Sequence, residues 1–189
     1  MATTVDEIRQ LSRGMYGLEY SASEDALFSD GFLLQLTNLA YFWLAGFTRF
    51  HYDRDLTIAV SSGTAEYILS ATVIEPDTRT FIYQISSTYT YLPCRFLHSI
   101  LTTSGPLQAI TSATPTSFFL VAGNNVSPAG RKKVILVPTP NATATLHYGA
   151  WIYPAELTAG SDNILLDAPE TQHLLPAICC KMAEFERSR

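Results

Sequence analysis

The run His51-Tyr52-Asp53-Arg54-Asp55 holds the chain's best candidates for chemistry. Alternate side chains of an extended strand share a face. His51, Asp53 and Asp55 would then point one way and offer an imidazole and two carboxylates to a divalent metal. The same run also reads as a charged connector in which Arg49 and Arg54 pair with the acids, and this second reading is preferred. Motifs for a phosphate-cradling loop, a dinucleotide fold, a nucleophile elbow or a zinc-peptidase helix are missing. His98, His147 and His173 are isolated in sequence and read as structural histidines. Cys94 and the adjacent Cys179 and Cys180 lie in apolar runs and read as packing residues, not nucleophiles. The expectation is a protein that is not an enzyme and uses no cofactor or metal.

Charge bounds the partners. The 189 residues carry a net charge of −5 and the pI is about 5.3. The only dense basic cluster is Arg131-Lys132-Lys133, which reads as a solvated loop tip. Nucleic acid is therefore not expected as the main partner. The three cysteines contain no C-x-x-C pair, and the opening Met-Ala-Thr-Thr-Val-Asp-Glu lacks the basic and apolar regions of a signal peptide. A reducing compartment is expected, and the two glycosylation sequons, Asn125-Val126-Ser127 and Asn141-Ala142-Thr143, read as chance matches.

From Thr80 to Gly130 there is one formally charged residue, Arg95, in 51 positions. Such a stretch, still rich in Ser, Thr and aromatics, reads as β-structure that is buried or that meets another protein, because interface cores lose charge and gain aromatics.

The elements follow from periodicity. Thr4 is a suitable N-cap, with Asp6 and Glu7 in the first turn of a helix whose face carries Val5, Ile8 and Leu11. Ser29-Asp30 opens a second helix. Its stripe of Phe32, Leu36, Leu39, Trp43, Phe47 and Phe50 predicts burial, and Gly31 to Thr48 is 18 residues without a charge. Gln35, Asn38 and Thr48 argue against a membrane span, and burial against sibling helices or neighbouring subunits is expected instead.

Period two begins at Arg54. Leu56 to Val60 and Tyr67 to Leu69, around the turn Ser62-Gly63-Thr64, predict a hairpin. Further strands are expected at 80–86, 89–100 and 117–121. Val134 to Val137 and Ala142 to Tyr153 form a last pair around Pro138-Thr139-Pro140-Asn141. Pro169 and Glu170 suit the start of a C-terminal helix with Leu174, Leu175, Ile178, Met182 and Phe185 on its apolar face. The class is α+β. A small helical lobe, from residues 1–52 and a completing helix in 164–189, carries an inserted antiparallel β-sandwich or barrel at 53–163.

The order of these elements resembles that of tailed-bacteriophage head-to-tail adaptor (connector, or neck) proteins. Val60-Ser-Ser-Gly-Thr-Ala-Glu-Tyr-Ile-Leu69 is similar to their v-x-x-G-T-x-x-Y-x-L strand pair, and Thr114-Pro-Thr-Ser-Phe-Phe-Leu120 to their G-x-P-x-x-Y-x-L strand, with Ala113-Thr114 where the family usually has Gly. The run from Lys133 to Tyr148 resembles their l-x-l-x-P-x-P hairpin. Pro154-Ala-Glu-Leu-Thr-Ala-Gly-Ser-Asp162 resembles the P-x-x-L-x-x-x-x-D that follows it. Phe28-Ser29-Asp30-Gly31-Phe32-Leu33-Leu34 is similar to their w-s-d-x-e-L-l helix start.

The resemblance implies a virion protein assembled in the host cytoplasm and sited at the neck. It would form a dodecameric ring, bind the portal protein through the helical lobe, and face a downstream tail or nozzle protein through the β-domain. DNA would pass down its lumen without sequence-specific contact, and no membrane would be involved. Candidate interface residues are Trp43, Phe47, Tyr89, Tyr91 and Trp151, with Arg187 and Arg189 at the C-terminal end. Two other roles fit the same residues: another tail or minor capsid protein, and a carbohydrate-binding β-sandwich with Tyr83, Tyr89, Tyr91 and Trp151 as stacking platforms.

Overall fold

The computed structural model describes residues 4–15, 29–95, 112–122, 131–166 and 173–187. The chain divides into two compact units, residues 1–51 with 153–189, and residues 52–152. Among the described residues the architecture is α+β, with two N-terminal helices, eight strands and a C-terminal helix.

In the first unit, α1 (Val5–Met15) starts on a reciprocal cap. Glu7 N donates to Thr4 Oγ1 at 3.4 Å and Thr4 N donates to Glu7 Oε2 at 3.0 Å, so two otherwise orphaned N–H groups are satisfied. Val5 and Ile8 are fully buried. Arg9 and Arg13 are buried too, a feature that apolar periodicity cannot signal. Arg9 pairs with Asp6 at 2.8 Å, and Arg13 reaches Asp30 at the head of α2 (Asp30–Thr48) at 2.6 Å. Ser29 caps α2 by accepting from Phe32 N at 3.4 Å, and Arg49 closes it in the left-handed conformation, its N–H bonded to Ala45 O. The last helix, α3 (Leu175–Arg187), holds Pro176 in its first turn, where the missing N–H has no helical partner to lose. Pro169 and Glu170 lie outside the described residues. Val5, Ile8, Leu33, Leu36, Tyr41, Leu44, Leu157, Ile164, Leu175 and Cys179 form the core of this unit.

The second unit contains two antiparallel sheets. The larger runs β1 (Tyr52–Val60), β8 (Ala144–Ile152), β4 (Ile82–Ile85), β5 (Thr88–Tyr91), with β3 (Val73–Pro76) also on β8; the smaller runs β2 (Glu66–Ile68), β7 (Lys132–Val137), β6 (Ser117–Ala122). Phe81, Tyr83, Leu146 and Tyr148 from the larger sheet share one core with Phe118, Val134 and Leu136 from the smaller. Phe81 stacks on Tyr148 at 5.2 Å and lies 4.1 Å from Phe118.

Neither expected hairpin forms. β1 pairs with β8 and β2 with β7, so the chain changes sheet at the turn 61–65, and it changes sheet again between β7 and β8. Alternating burial has the same period whether two strands lie side by side or face each other across a sandwich, so periodicity alone cannot separate the two. The hydrogen bonds do. Tyr67 Oη donates to Thr64 O at 2.7 Å and accepts from Ser61 N at 3.1 Å, and Gly63, at φ +79, donates its N–H to Pro140 O at 2.8 Å. The two crossing turns are thereby fastened to each other. β4–β5 is a tight hairpin, closed by the two residues Ser86 and Ser87 with Ser86 at φ 52, a turn chemistry without the usual Gly or Asn signal; β6 and β7 are also consecutive and antiparallel.

Candidate functional site

The acidic run at the start of β1 does not assemble a metal centre. A β-bulge between Asp53 and Leu56 breaks the alternation that would align Asp53 with Asp55, and Asp53 Oδ1 accepts from Asp55 N at 2.9 Å. Among the described residues no three His, Cys, Asp or Glu side chains come together in a group able to hold a metal. Cys179 is fully buried; desolvation pushes its thiol up to about 11, and Thr37 Oγ1 lies 3.8 Å from its sulfur. It is a packing group rather than a thiolate nucleophile.

What the first unit offers is an apolar surface. The expected buried stripe of α2 is not the one that packs. Leu33, Leu36, Thr37, Ala40, Tyr41 and Leu44 face the core, whereas Leu39, Trp43 and Phe47 are 56, 58 and 76% exposed. This corrects the sequence expectation for those three. The helix is apolar on nearly every side, so its periodicity does not say which side is turned inward. Polar groups decide it. Asn38 is buried because Leu157 needs it: Asn38 Nδ2 donates to Leu157 O and Leu157 N donates to Asn38 Oδ1, each at 2.8 Å. Tyr41 Oη accepts from Leu165 N at 2.9 Å, and burial raises its pKa. These bonds rotate α2 so that the i, i+4, i+8 series from Leu39 faces outward.

Trp43 and Phe47 stack with ring centroids 5.6 Å apart and planes within 4°. Beside them Leu36, Leu39, Ala177, Ile178, Lys181, Met182 and Phe185 line an open groove of about 450 Å3 between α2 and α3. Phe185 is 62% exposed. Lys181, paired with Glu184 at 2.6 Å, stands at the border of this apolar surface. Arg187 ends α3, its side chain outside the described set, and Arg189 lies outside the described residues.

The second unit carries its exposed aromatics on the outer face of the larger sheet. Tyr89 and Tyr91 stand exposed on β5. Gln84 Nε2 donates to Tyr89 Oη at 3.1 Å, and Gln84 Oε1 lies 2.6 Å from His147 Nε2. Trp151 is half-buried, edge-on to Tyr52 at 4.9 Å, and Tyr52 Oη donates to Asp77 at 3.5 Å. A Cβ on Gly149 would collide with the Tyr52 hydroxyl, so glycine there admits that ring. Tyr83, a member of the alternative glycan platform, is in the core and gives that platform no stacking face.

The motif residues behind the family resemblance turn out to be fasteners. Gly63 and Tyr67 hold the first crossing turn and Leu69 is buried. In the stretch after β8, Leu157 docks on Asn38. Asp162 Oδ2 accepts from Thr158 N at 2.7 Å and Ala159 N at 2.9 Å, bonds that hold its carboxyl below the ordinary range. That loop then receives α1, through Val5 N to Asp162 O and Asp6 N to Gly160 O.

Helices and two antiparallel sheets fastened in this order, with aromatics left outside, define an α+β protein. The chain matches the SU10 adaptor protein family over residues 3–189 and belongs to it. It is a phage adaptor, a structural component of the virion. No curated protein matches the chain. No helix among the described residues is long and apolar enough to cross a membrane.

Proposed function

We propose that the chain forms the adaptor ring that joins the portal to the tail and surrounds the DNA exit channel. The observation that carries this reading is the exposed Leu39-Trp43-Phe47 stripe with its adjoining groove, on the helical unit of an adaptor-family chain. A ring of one chain needs two different patches on each subunit, repeated until closure, and further surface for what lies above and below. The stripe and groove, with Arg187 and Arg189 at the C-terminal end, supply contact surface on the helical unit, toward portal and neighbour. Tyr89, Tyr91 and Trp151 supply it on the β unit, toward the next tail component. A dodecamer is the assembly expected from the resemblance. A net charge of −5 suits a channel wall, since a lumen that bound phosphates through released counterions would hold the DNA in transit. Assembly takes place in the host cytoplasm.

The test is co-sedimentation of the purified chain with the portal ring of its own virus. The proposal predicts a joint species that forms with the native chain and is lost with the Trp43→Ala/Phe47→Ala pair. Separate sedimentation of the two native proteins contradicts it.

A further inference from the structure

The two sheets of the β unit have five edges, because β3 and β4 lie end to end along β8, and four are protected. β3 carries Glu75, ends in Pro76 and is irregular in register against β8. β1 is bulged between Asp53 and Leu56 and carries exposed Arg54 and Asp55 there. β2 is three residues long, with Glu66 paired to Lys133 at 2.8 Å. The edge of β6 is covered by the chain's own backbone, since Phe118 N donates to Pro93 O at 3.2 Å and Arg95 N donates to Phe118 O at 2.8 Å. Short strands, charges, bulges and covering segments are the devices that stop a sheet edge from pairing with another chain. β5, at four residues, is short as well, but among the described residues it has no charge, bulge or covering segment. Its four residues, Thr88-Tyr89-Thr90-Tyr91, are exposed, uncharged and in unbroken register with β4.

The ladder fixes which backbone groups of β5 are available. Leu92 N donates to Phe81 O at 2.9 Å, and these residues are opposite each other in the β4–β5 register. Hydrogen-bonded pairs alternate in an antiparallel ladder, so Thr90 and Thr88 turn their groups toward β4. The N–H and C=O of Tyr89 and Tyr91 turn away. No bond to either is found among the described residues.

We propose that β5 pairs antiparallel with β5 of a second copy of this chain, about a two-fold axis through Thr90. The strand is its own complement in that register. Tyr89 of one copy lies opposite Tyr91 of the other and exchanges two hydrogen bonds with it, and the mirrored pair gives two more, so every outward group of both residues is satisfied. The tyrosines form two cross-strand aromatic pairs, and Thr90 meets Thr90, both favourable in sheets. A second copy offers no other unprotected edge among its described strands, which selects β5 as the occupant over β1, β2, β3 and β6. A two-fold contact closes on itself and cannot propagate round a ring. The pairing therefore belongs to the free chain, where it covers the aggregation-prone edge, and it opens when subunits enter an assembly.

Sedimentation velocity of the full chain over a concentration series tests this. The native chain should pass from 20.9 kDa toward twice that mass. Tyr91→Pro deletes an outward N–H without touching the β4 ladder, and it should remain monomeric. Thr90→Lys places like charges face to face across the axis and should weaken the dimer by about tenfold or more. A mixture of Thr90→Lys with Thr90→Glu should restore it, because residue 90 faces its own copy. A native chain that stays monomeric throughout, a Tyr91→Pro dimer as tight as the native one, or a Lys–Glu mixture that fails to pair would each overturn the proposal.

Discussion

Replacing Trp43 and Phe47 together by Ala separates folding from assembly, because the structure gives each ring little folding work. Fully burying a large apolar side chain contributes about 1.5–3 kcal/mol. With Trp43 58% and Phe47 76% exposed, their burial accounts for about 1 kcal/mol and about half that, respectively. The stacked pair adds about 0.5–1.5 kcal/mol at most. Alanine is the better helix former and returns up to about 0.7 kcal/mol at each position. The double variant should therefore lose about 1 kcal/mol of stability, which for a chain of this size is a melting shift of about 2–4 °C. A buried stripe would instead give about 3–5 kcal/mol for each aromatic removed. Thermal and urea melts read the folding effect, and titration against immobilised portal ring reads the assembly effect. Stacked aromatics at the centre of an interface are worth about 2 kcal/mol or more, so binding should weaken by about 30-fold. A loss of 3 kcal/mol or more in folding, or unchanged portal affinity, would refute the reasoning.

Other outcomes follow from the fasteners of the helical unit. Asn38→Leu leaves the N–H and C=O of Leu157 buried without partners and should cost about 2–4 kcal/mol in a urea melt; a change below 1 kcal/mol would show that the loop finds other partners. Arg13, by hydrogen bond and charge, holds the Asp30 carboxyl below its ordinary value of 3.8. The stabilisation from Asp30 is then present above that value and is lost as pH falls through the lower folded-state pKa. Asp30→Asn should remove about 1 kcal/mol at pH 7 and flatten the acid limb of the stability profile; an acid limb identical to the native one would contradict the pairing. With its thiol at about 11 and fully buried, Cys179 should resist a thiol reagent at pH 8 until the protein unfolds, while exposed Cys94 reacts first. Mass spectrometry of the labelled peptides reads the order, and early labelling of Cys179 would count against its packing.

Local signals survived the fold well. The Thr4 and Ser29 caps, the turn at Gly63, the strand expected at 117–121 and found at 117–122, and the alternating face of β8 are features a few residues specify by themselves. Pairing did not survive, because two strands joined by a short turn share one alternation whether they lie in the same sheet or in opposite sheets. β3 was missed altogether. It is four residues long, irregular against β8 between Val73 and Glu75, and ends in Pro76, too short to show a period. The orientation of α2 was hidden for a related reason: a helix apolar all round has no periodicity to read, and its rotation is set by Asn38 and Tyr41 reaching residues far along the chain. Asn38, the one buried amide in an apolar helix, was the available clue. The same is true of Arg9 and Arg13, whose burial depends on carboxylates that only the folded unit brings close.

The most direct test of the adaptor account is to image the purified chain mixed with the portal ring of its own virus by negative stain. The account predicts a second ring stacked on one end of the portal, with the channel continuous through both. Portal rings that remain bare while the chain stays free in solution would contradict it.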